Sequence, residues 1–389
     1  MSKKIVLFGA GRIGRSFIGQ LFGSAGYELV FVDISGRLVE LINLHRQYRV
    51  VIKSDAGDKT IWVRNVRAVH FNDTGRVVEE LAGADIASVS VGRPGLPALM
   101  PVFANALLRR REKYGDRPLD VILAENMRNA DDYFRRKVKQ FLPEEFPVDA
   151  LLGLVETSIG KMVPIMTGEE MDKDPLWVFA EPYCELIVSG PAFKNGVPKI
   201  DNLAPKDNIK AWVDRKLFIH NLGHASAAYL GYRSDNSLVY LHEALELPEV
   251  FEATRQTMRQ SADILLSLYP KDFSAGQISH HIDDLLARFS NRSLGDTLFR
   301  VGCDLYRKLG PEDRFTLPVQ AAIRTGKPFD LIMKAMIAGI FFRATDPEGN
   351  YFPADEEFFG ESEKGIAHVL TEISGLPLGK SGDFNEVSY

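Results

Sequence analysis

The 389-residue chain has only two cysteines, Cys184 and Cys303. That is too few for a disulfide framework or a cysteine-rich zinc site, and a reducing compartment is the simpler setting. No uninterrupted apolar stretch approaches the roughly 20 residues of a membrane span. The first apolar run, Ile5 to Phe8, reaches glycine after four residues, short of the apolar segment of a signal peptide. These absences lead to the expectation of a soluble, cytoplasmic protein with no membrane partner. A charge excess is missing too: 47 Lys and Arg against 52 Asp and Glu leave −5, so no nucleic-acid partner is expected. The short basic runs Arg109 to Arg111 and Arg135 to Lys137 read as solvated helix faces. With 32 Gly and 20 Pro, collagen-like and low-complexity chains are excluded. The 45% hydrophobic content supports a sizeable core, and at roughly 100–200 residues per domain the length predicts two or three domains.

The N-terminal segment carries the first motif. Ile5-Val-Leu-Phe8 has the continuous apolar character of a strand buried on both faces. Gly9-Ala-Gly11-Arg12-Ile13-Gly14 follows at once, then a helical pattern over 15–25 with Phe17, Ile18, Leu21 and Phe22 on its apolar face. Gly9 suits a tight turn, Gly11 lets backbone approach a pyrophosphate, and Gly14 lets helix and strand pack closely. The amides of Arg12 and Ile13 belong to the helix start that favours a phosphate anion. A second strand, Glu28 to Asp33, ends in an acid 19 residues after Gly14, where a ribose diol would be gripped and a 2′-phosphate repelled. The expected cofactor is NAD rather than NADP, although Arg37 is within reach of a 2′-phosphate. A nucleotide-free or differently liganded switch point is the competing reading.

Strands and helices go on alternating: Ile86 to Val91, then a helix over 96–113, then Leu119 to Leu123. This pattern means βαβ units and a parallel sheet. Ligands of such sheets lie beyond the carboxyl ends of the strands, which places Gly92, Arg93, Glu125 and Asn126 near cofactor or substrate. For Asn126 alone, a turn or cap role is an equal reading.

From about Asn208 the texture becomes helical, and a boundary over Asp201 to Asp207 divides the chain into residues 1–204 and 205–389. The first helix of the second part contains Lys216, His220, Asn221 and His224. At about 100° per residue these fall roughly 40° (His220), 80° (His224) and 140° (Asn221) round from Lys216, in one broad sector beside Leu217, Phe218 and Ala227. A lysine in such surroundings tends to lose its proton and can act as general base toward an alcohol. The amides of Asn221 and Asn126 suit a developing alkoxide. A snorkelling lysine is the bland alternative. His220 and His224 also have the i, i+4 spacing of metal ligands, but the other histidines supply no obvious companions, so no metal is expected.

These residues resemble a known family, the polyol-specific long-chain dehydrogenases, and within it the mannitol-1-phosphate 5-dehydrogenases. The resemblance runs through F-G-A-G-R-I-G-R-S-F-I-G at Phe8 to Gly19, E-N-M at Glu125 to Met127 and K-L-F-I-H-N-L-G-H-A-S-A-A-Y-L-G at Lys216 to Gly231. It ends in R-V-G-C-D-L-Y-R-K-L at Arg300 to Leu309 and Asp313-Arg314. It implies an α/β, Rossmann-type N-terminal domain followed by a mainly α-helical C-terminal domain, with the active site between them. It also implies Lys216 as catalytic base, assisted by Asn221 and His224, with Asn126 polarising the reacting oxygen. NAD and a small polyol, its phosphate foremost, are the implied cofactor and substrate, in a monomer or dimer.

Two departures from the family pattern bear on substrate. Where the family usually has V-D-R-I-V-P, this chain has Ile159-Gly160-Lys161-Met162-Val163-Pro164, and I-V-D becomes Ile187-Val188-Ser189. Lys161, without its usual acidic neighbour, is expected to be free to meet a phosphate or carboxylate, with Arg307 and Lys308 adding charge. Equally, Glu156 replaces the lost acid and Lys161 is structural. The alternatives on function are a hexuronate reductase acting on fructuronate or tagaturonate, and a non-catalytic NAD-binding sensor. Gly375, Gly379 and Gly382 suggest a loosely held tail.

Overall fold

The computed structural model describes residues 3–377 except 165 and 167, and the side chains of these except 171 and 172. The chain divides into two compact units between Val213 and Asp214. The first is built on eleven strands in chain order: β1 (Lys4–Phe8), β2 (Glu28–Asp33), β3 (Gln47–Ile52), β4 (Lys59–Arg64), β5 (Val66–His70), β6 (Ile86–Val89), β7 (Leu119–Leu123), β8 (Leu152–Ser158), β9 (Val178–Ala180), β10 (Leu186–Ser189) and β11 (Leu203–Lys206). Eight form one sheet in the order β11-β10-β8-β7-β6-β1-β2-β5, and β4-β3-β9 form a second.

In the large sheet every neighbouring pair is parallel except β8 and β10. A parallel sheet is covered on both faces, which is why β1 and β7 are apolar without alternation. Val6 and Phe8 of β1 enter one core with the helix Leu96–Tyr114, while Ile5 and Leu7 enter another with Phe17, Ile18 and Phe22.

The β1–helix–β2 unit has the expected form, with one change: the helix after the glycines begins as a π turn, Gly14–Gly19, before continuing as α-helix Gln20–Ser24. The boundary segment 201–207 carries structure of its own. Its residues Leu203–Lys206 are β11, the edge of the large sheet, where Pro205 costs little because its missing N–H would face outward. Arg110 also departs from its expected place on a solvated helix face. It is 2% exposed and donates to the carbonyls of Ala82, Ala84, Arg117 and Pro118, tying the end of one helix to the loop before β7.

In the second unit the helix Leu222–Ser234 is buried on nearly every side, against Leu241–Glu246, Pro248–Leu268, Leu298–Gly302 and Asp330–Ile340. Its small residues permit this. A Cβ on Gly223 would lie 2.5 Å from Met258 Sδ, and one on Gly231 would lie 2.4 Å from Ala244 Cβ. Tyr229, inside this bundle, donates to the Gly302 carbonyl at 2.9 Å. The C-terminal segment folds as Pro353–Ser362, Ile366–His368 and a π turn Val369–Ile373, with Leu370 and Leu376 buried. The chain is therefore packed as far as Leu376, and Gly379 and Gly382 lie outside the described residues. Among the described residues no helix is long and apolar enough to cross a membrane.

Candidate active site

In the first unit the glycine loop joins β1 to the π turn. Gly9 has φ +95°, and a Cβ there would meet the Ser90 carbonyl oxygen at 2.5 Å; a Cβ on Gly14 would meet the Gly9 oxygen at 2.0 Å. Both glycines are demanded by backbone packed against backbone. Gly11 differs, since nothing lies within 4 Å of its Cβ position, the open approach that a pyrophosphate needs. Arg12 and Ile13 follow at the helix start. Asp33 closes the loop from the other side: Oδ2 accepts from the Ala10 amide at 2.7 Å and Oδ1 from the Ser35 amide at 2.9 Å. These donors fix the carboxylate at the end of β2, the position of a ribose-binding acid. The cradle fits a dinucleotide.

Gly92, with φ +78°, begins the loop after β6. Glu125, expected near the cofactor, is buried and braces this loop, its Oε1 accepting from the amides of Val91 (2.8 Å) and Gly92 (3.1 Å). Burial raises its pKa against the pull of those amides. Asn126 follows, exposed, in the loop after β7. Glu156, on β8, is buried and accepts from the Ala130 amide at 3.4 Å, while its Oε2 has no hydrogen-bond partner. Burial, then the charge of Asp131, raises its pKa.

In the second unit Lys216 to Asn221 form a π turn, not α-helix. Bonding i→i+5 widens the turn and returns a residue five positions on to nearly the same side. Asn221, put farthest from Lys216 by an α-helical count, falls nearer its side of the helix by this wider count. Lys216 is half-buried, and desolvation, then the charge of Arg314, lower its pKa from 10.5 to about 8; Asp313 opposes and Arg307 adds to the fall. His220 is buried and held neutral by burial and by Arg288. The His224 ring stacks on Phe289, with centroids 4.7 Å apart. Burial first, then Arg300, Arg314, Lys308 and Arg288, hold its pKa well below 6.5.

The three cations expected to meet substrate are placed differently. Lys161 is not presented as a free ammonium: it is 6% exposed, with Nζ 3.2 Å from Gln20 Oε1 and 5.2 Å from the Phe17 ring centre. The helix after the glycine loop supplies these contacts, which no local pattern around Lys161 foretells. Arg307 donates to Asp304 (2.5 Å) and Asp313 (3.1 Å). Lys308 is buried on the Val301 carbonyl at 2.7 Å, and burial, then Arg314, lower its pKa to about 7.

Sequence reasoning gave no role to Arg314 or Asp296. Arg314 is buried, donates to Asp313 Oδ1 at 2.8 Å and reaches the Asn221 carbonyl at 3.4 Å. Asp296 is 4% exposed, pairs with Arg300, and has Oδ2 3.2 Å from His224 Nε2. Both sit in loops between short helices, where periodicity carries no signal. Among the described residues no three His, Cys, Asp or Glu side chains converge as a metal site.

Comparison with known proteins agrees with this geometry. The profile of the mannitol dehydrogenase Rossmann domain matches residues 3–202, and that of the mannitol dehydrogenase C-terminal domain matches 208–375. A mannitol-1-phosphate 5-dehydrogenase of Halalkalibacterium halodurans is 30% identical over 378 residues, 96% of each chain. Among solved structures, a substrate-free D-sorbitol dehydrogenase superposes with a TM-score of 0.77 at 17% identity, covering 95% of this chain and 86% of that one. A mannitol 2-dehydrogenase of Pseudomonas fluorescens, in a ternary complex with NAD and D-mannitol, gives 0.72 at 16% identity, covering 96% and 87%. The chain belongs to the mannitol dehydrogenase family of polyol dehydrogenases.

Proposed function

We propose that this protein interconverts a polyol phosphate, mannitol 1-phosphate being the first candidate, and the corresponding ketose phosphate, with NAD as cofactor and Lys216 as general base. The observation that carries the reading is Lys216 itself, half-buried in a π turn, with a pKa of about 8 imposed by burial and by Arg314. Such an amine is largely uncharged at mildly alkaline pH and returns its proton readily.

Gly9, Gly11, Arg12, Ile13, Gly14 and Asp33 hold the dinucleotide in this reading, and Glu125 keeps the Gly92 loop in shape beside it. When bound, NAD supplies the acceptor for the hydride that leaves the carbinol carbon. Lys216 Nζ takes the hydroxyl proton, and the amide of Asn221 donates to the oxygen as its negative charge grows. His224, neutral, holds a substrate hydroxyl. Supporting the phosphate is the surrounding charge: behind desolvation, and against Asp313, the cations Arg300, Arg307, Lys308 and Arg314 lower the pKa of Lys216 or His224, a setting suited to an anion. A carboxylate would answer the same field, which keeps hexuronate reduction as the second reading. Lys161, its ammonium engaged within the first unit, is left out of this role.

The test is NADH consumption with fructose 6-phosphate, fructose, fructuronate and tagaturonate, with Lys216→Ala as control. Turnover of the phosphate, abolished in the variant, is expected. Turnover of a uronate alone moves the substrate to the second reading. Silence on all four with NADH still bound refutes both and favours a sensor.

A further inference from the structure

Asp296, buried, and His224, half-buried, form a pair with no part in the proton transfer itself. His224 Nε2 and Asp296 Oδ2 lie 3.2 Å apart, and neither atom has a hydrogen-bond partner. Asp296 is 4% exposed. Its other oxygen is paired with Arg300, and its backbone carbonyl accepts from the Leu241 amide at 2.8 Å. It follows Gly295, whose φ is +61°, and precedes Thr297, whose side chain caps the helix Leu298–Gly302. The carboxylate is held at both ends, so it cannot turn away from the imidazole. The plane of the imidazole is set by its stacking on Phe289, 22° from parallel.

Two placements of a single ring proton are available to a neutral imidazole. With the proton on Nδ1, the Nε2 lone pair would face a carboxylate oxygen 3.2 Å away, leaving two buried acceptors opposed. With the proton on Nε2, the same two atoms become donor and acceptor and need only a small rotation to align. Contacts of this kind are often loose without substrate and tighten in the complex. Double protonation is favoured by the Asp296 carboxylate but opposed first by burial and then by Arg300, Arg314, Lys308 and Arg288, with His220 beside the ring.

We propose that Asp296 is a positioning residue that holds His224 as its Nε2–H tautomer, so that Nδ1 is a permanent hydrogen-bond acceptor for a substrate hydroxyl. This inference rests on the dehydrogenase reading for its purpose, though not for its geometry. An imidazole locked as an acceptor selects an O–H group, which a polyol presents. A tautomer free to flip would be in the accepting state only part of the time, and the second orientation would be unproductive.

The test begins with the full-length wild-type protein labelled with 15N-histidine and without substrate, His224→Asn serving to assign the resonance. A pyrrole-type Nε2 and a pyridine-type Nδ1 at pH 6 to 9 are expected, and the reverse pattern overturns the proposal. This measurement requires no turnover, so silence of the enzyme on every sugar would sink the dehydrogenase reading while the tautomer could still be read. Kinetics supply the second arm. Asp296→Leu should lower kcat by about 10- to 100-fold, as loss of a group orienting a functional histidine does elsewhere, with the KM for NADH unchanged. Asp296→Asn, whose amide oxygen still accepts, should recover most of that loss and the wild-type spectrum. Wild-type kcat in Asp296→Leu, or equal losses in both variants with an unaltered His224 spectrum, overturns the proposal.

Discussion

Replacing Lys216 with methionine should make the protein more stable at neutral pH while ending its turnover. The lysine's pKa is lowered from 10.5 to about 8 in the folded chain, chiefly by burial and by the charge of Arg314. At about 1.36 kcal/mol per pH unit, that difference corresponds to about 3 kcal/mol. Because the folded state binds the proton more weakly than the unfolded state, the cost is present in full below pH 8. It fades as pH rises from about 8 to 10.5, where both states are uncharged. Methionine keeps most of the side chain's length and removes the titrating group. Urea unfolding of wild type and Lys216→Met across pH 6 to 10.5 should therefore show the variant ahead by up to about 3 kcal/mol at pH 6 to 7, with the lead closing toward pH 10. The active enzyme carries the same signature: kcat/KM for polyol oxidation should rise with pH and level off above about 8. A variant less stable than wild type by the same margin at every pH would refute the claim that this lysine is held against its protonation. A lead that widened with pH would refute its sign.

The glycine loop yields a paired test. Gly11→Ala meets no atom within 4 Å and should leave the melting temperature unchanged while weakening NAD binding at least about tenfold. Gly14→Ala drives a Cβ to 2.0 Å from the Gly9 carbonyl and should destabilise the fold itself, read as a lowered melting temperature. Asp33→Ala should raise the KM for NAD far more than that for NADP, and equal effects would count against the ribose role. Arg110→Met leaves the buried carbonyls of Ala82 and Ala84 without this donor and should cost about 2–4 kcal/mol in denaturant unfolding, with no change in KM.

Much of the site was legible before the fold was known, for reasons that differ by residue. Gly9, Gly14 and Asp33 act through backbone geometry a few residues away in sequence or one strand over, so spacing alone located them. The run from Lys216 to Gly231 announced itself by small residues interleaved with polar ones, a composition that a helix buried on most sides requires. Lys161 was left with two equal readings because its environment comes from the helix after the glycine loop, about 140 residues earlier. Arg110 was misjudged because its partners are carbonyl groups, which carry no residue identity and leave no trace in composition.

What the amino-acid order determined by itself was the βαβ opening, the dinucleotide cradle, the helical character of the second half and the clustering of Lys216, Asn221 and His224 on one helix. Each depends on local backbone preference or on hydrophobic period. Only the tertiary structure decided three further matters. The helix widens into a π turn over Lys216–Asn221. Burial depresses the lysine's pKa, and Arg314, far along the chain, adds its charge. Asp296 faces His224 across a gap that one proton can bridge. The last two are meetings of loops and side chains distant in sequence, governed by packing and desolvation, and neither leaves a periodic mark in the chain.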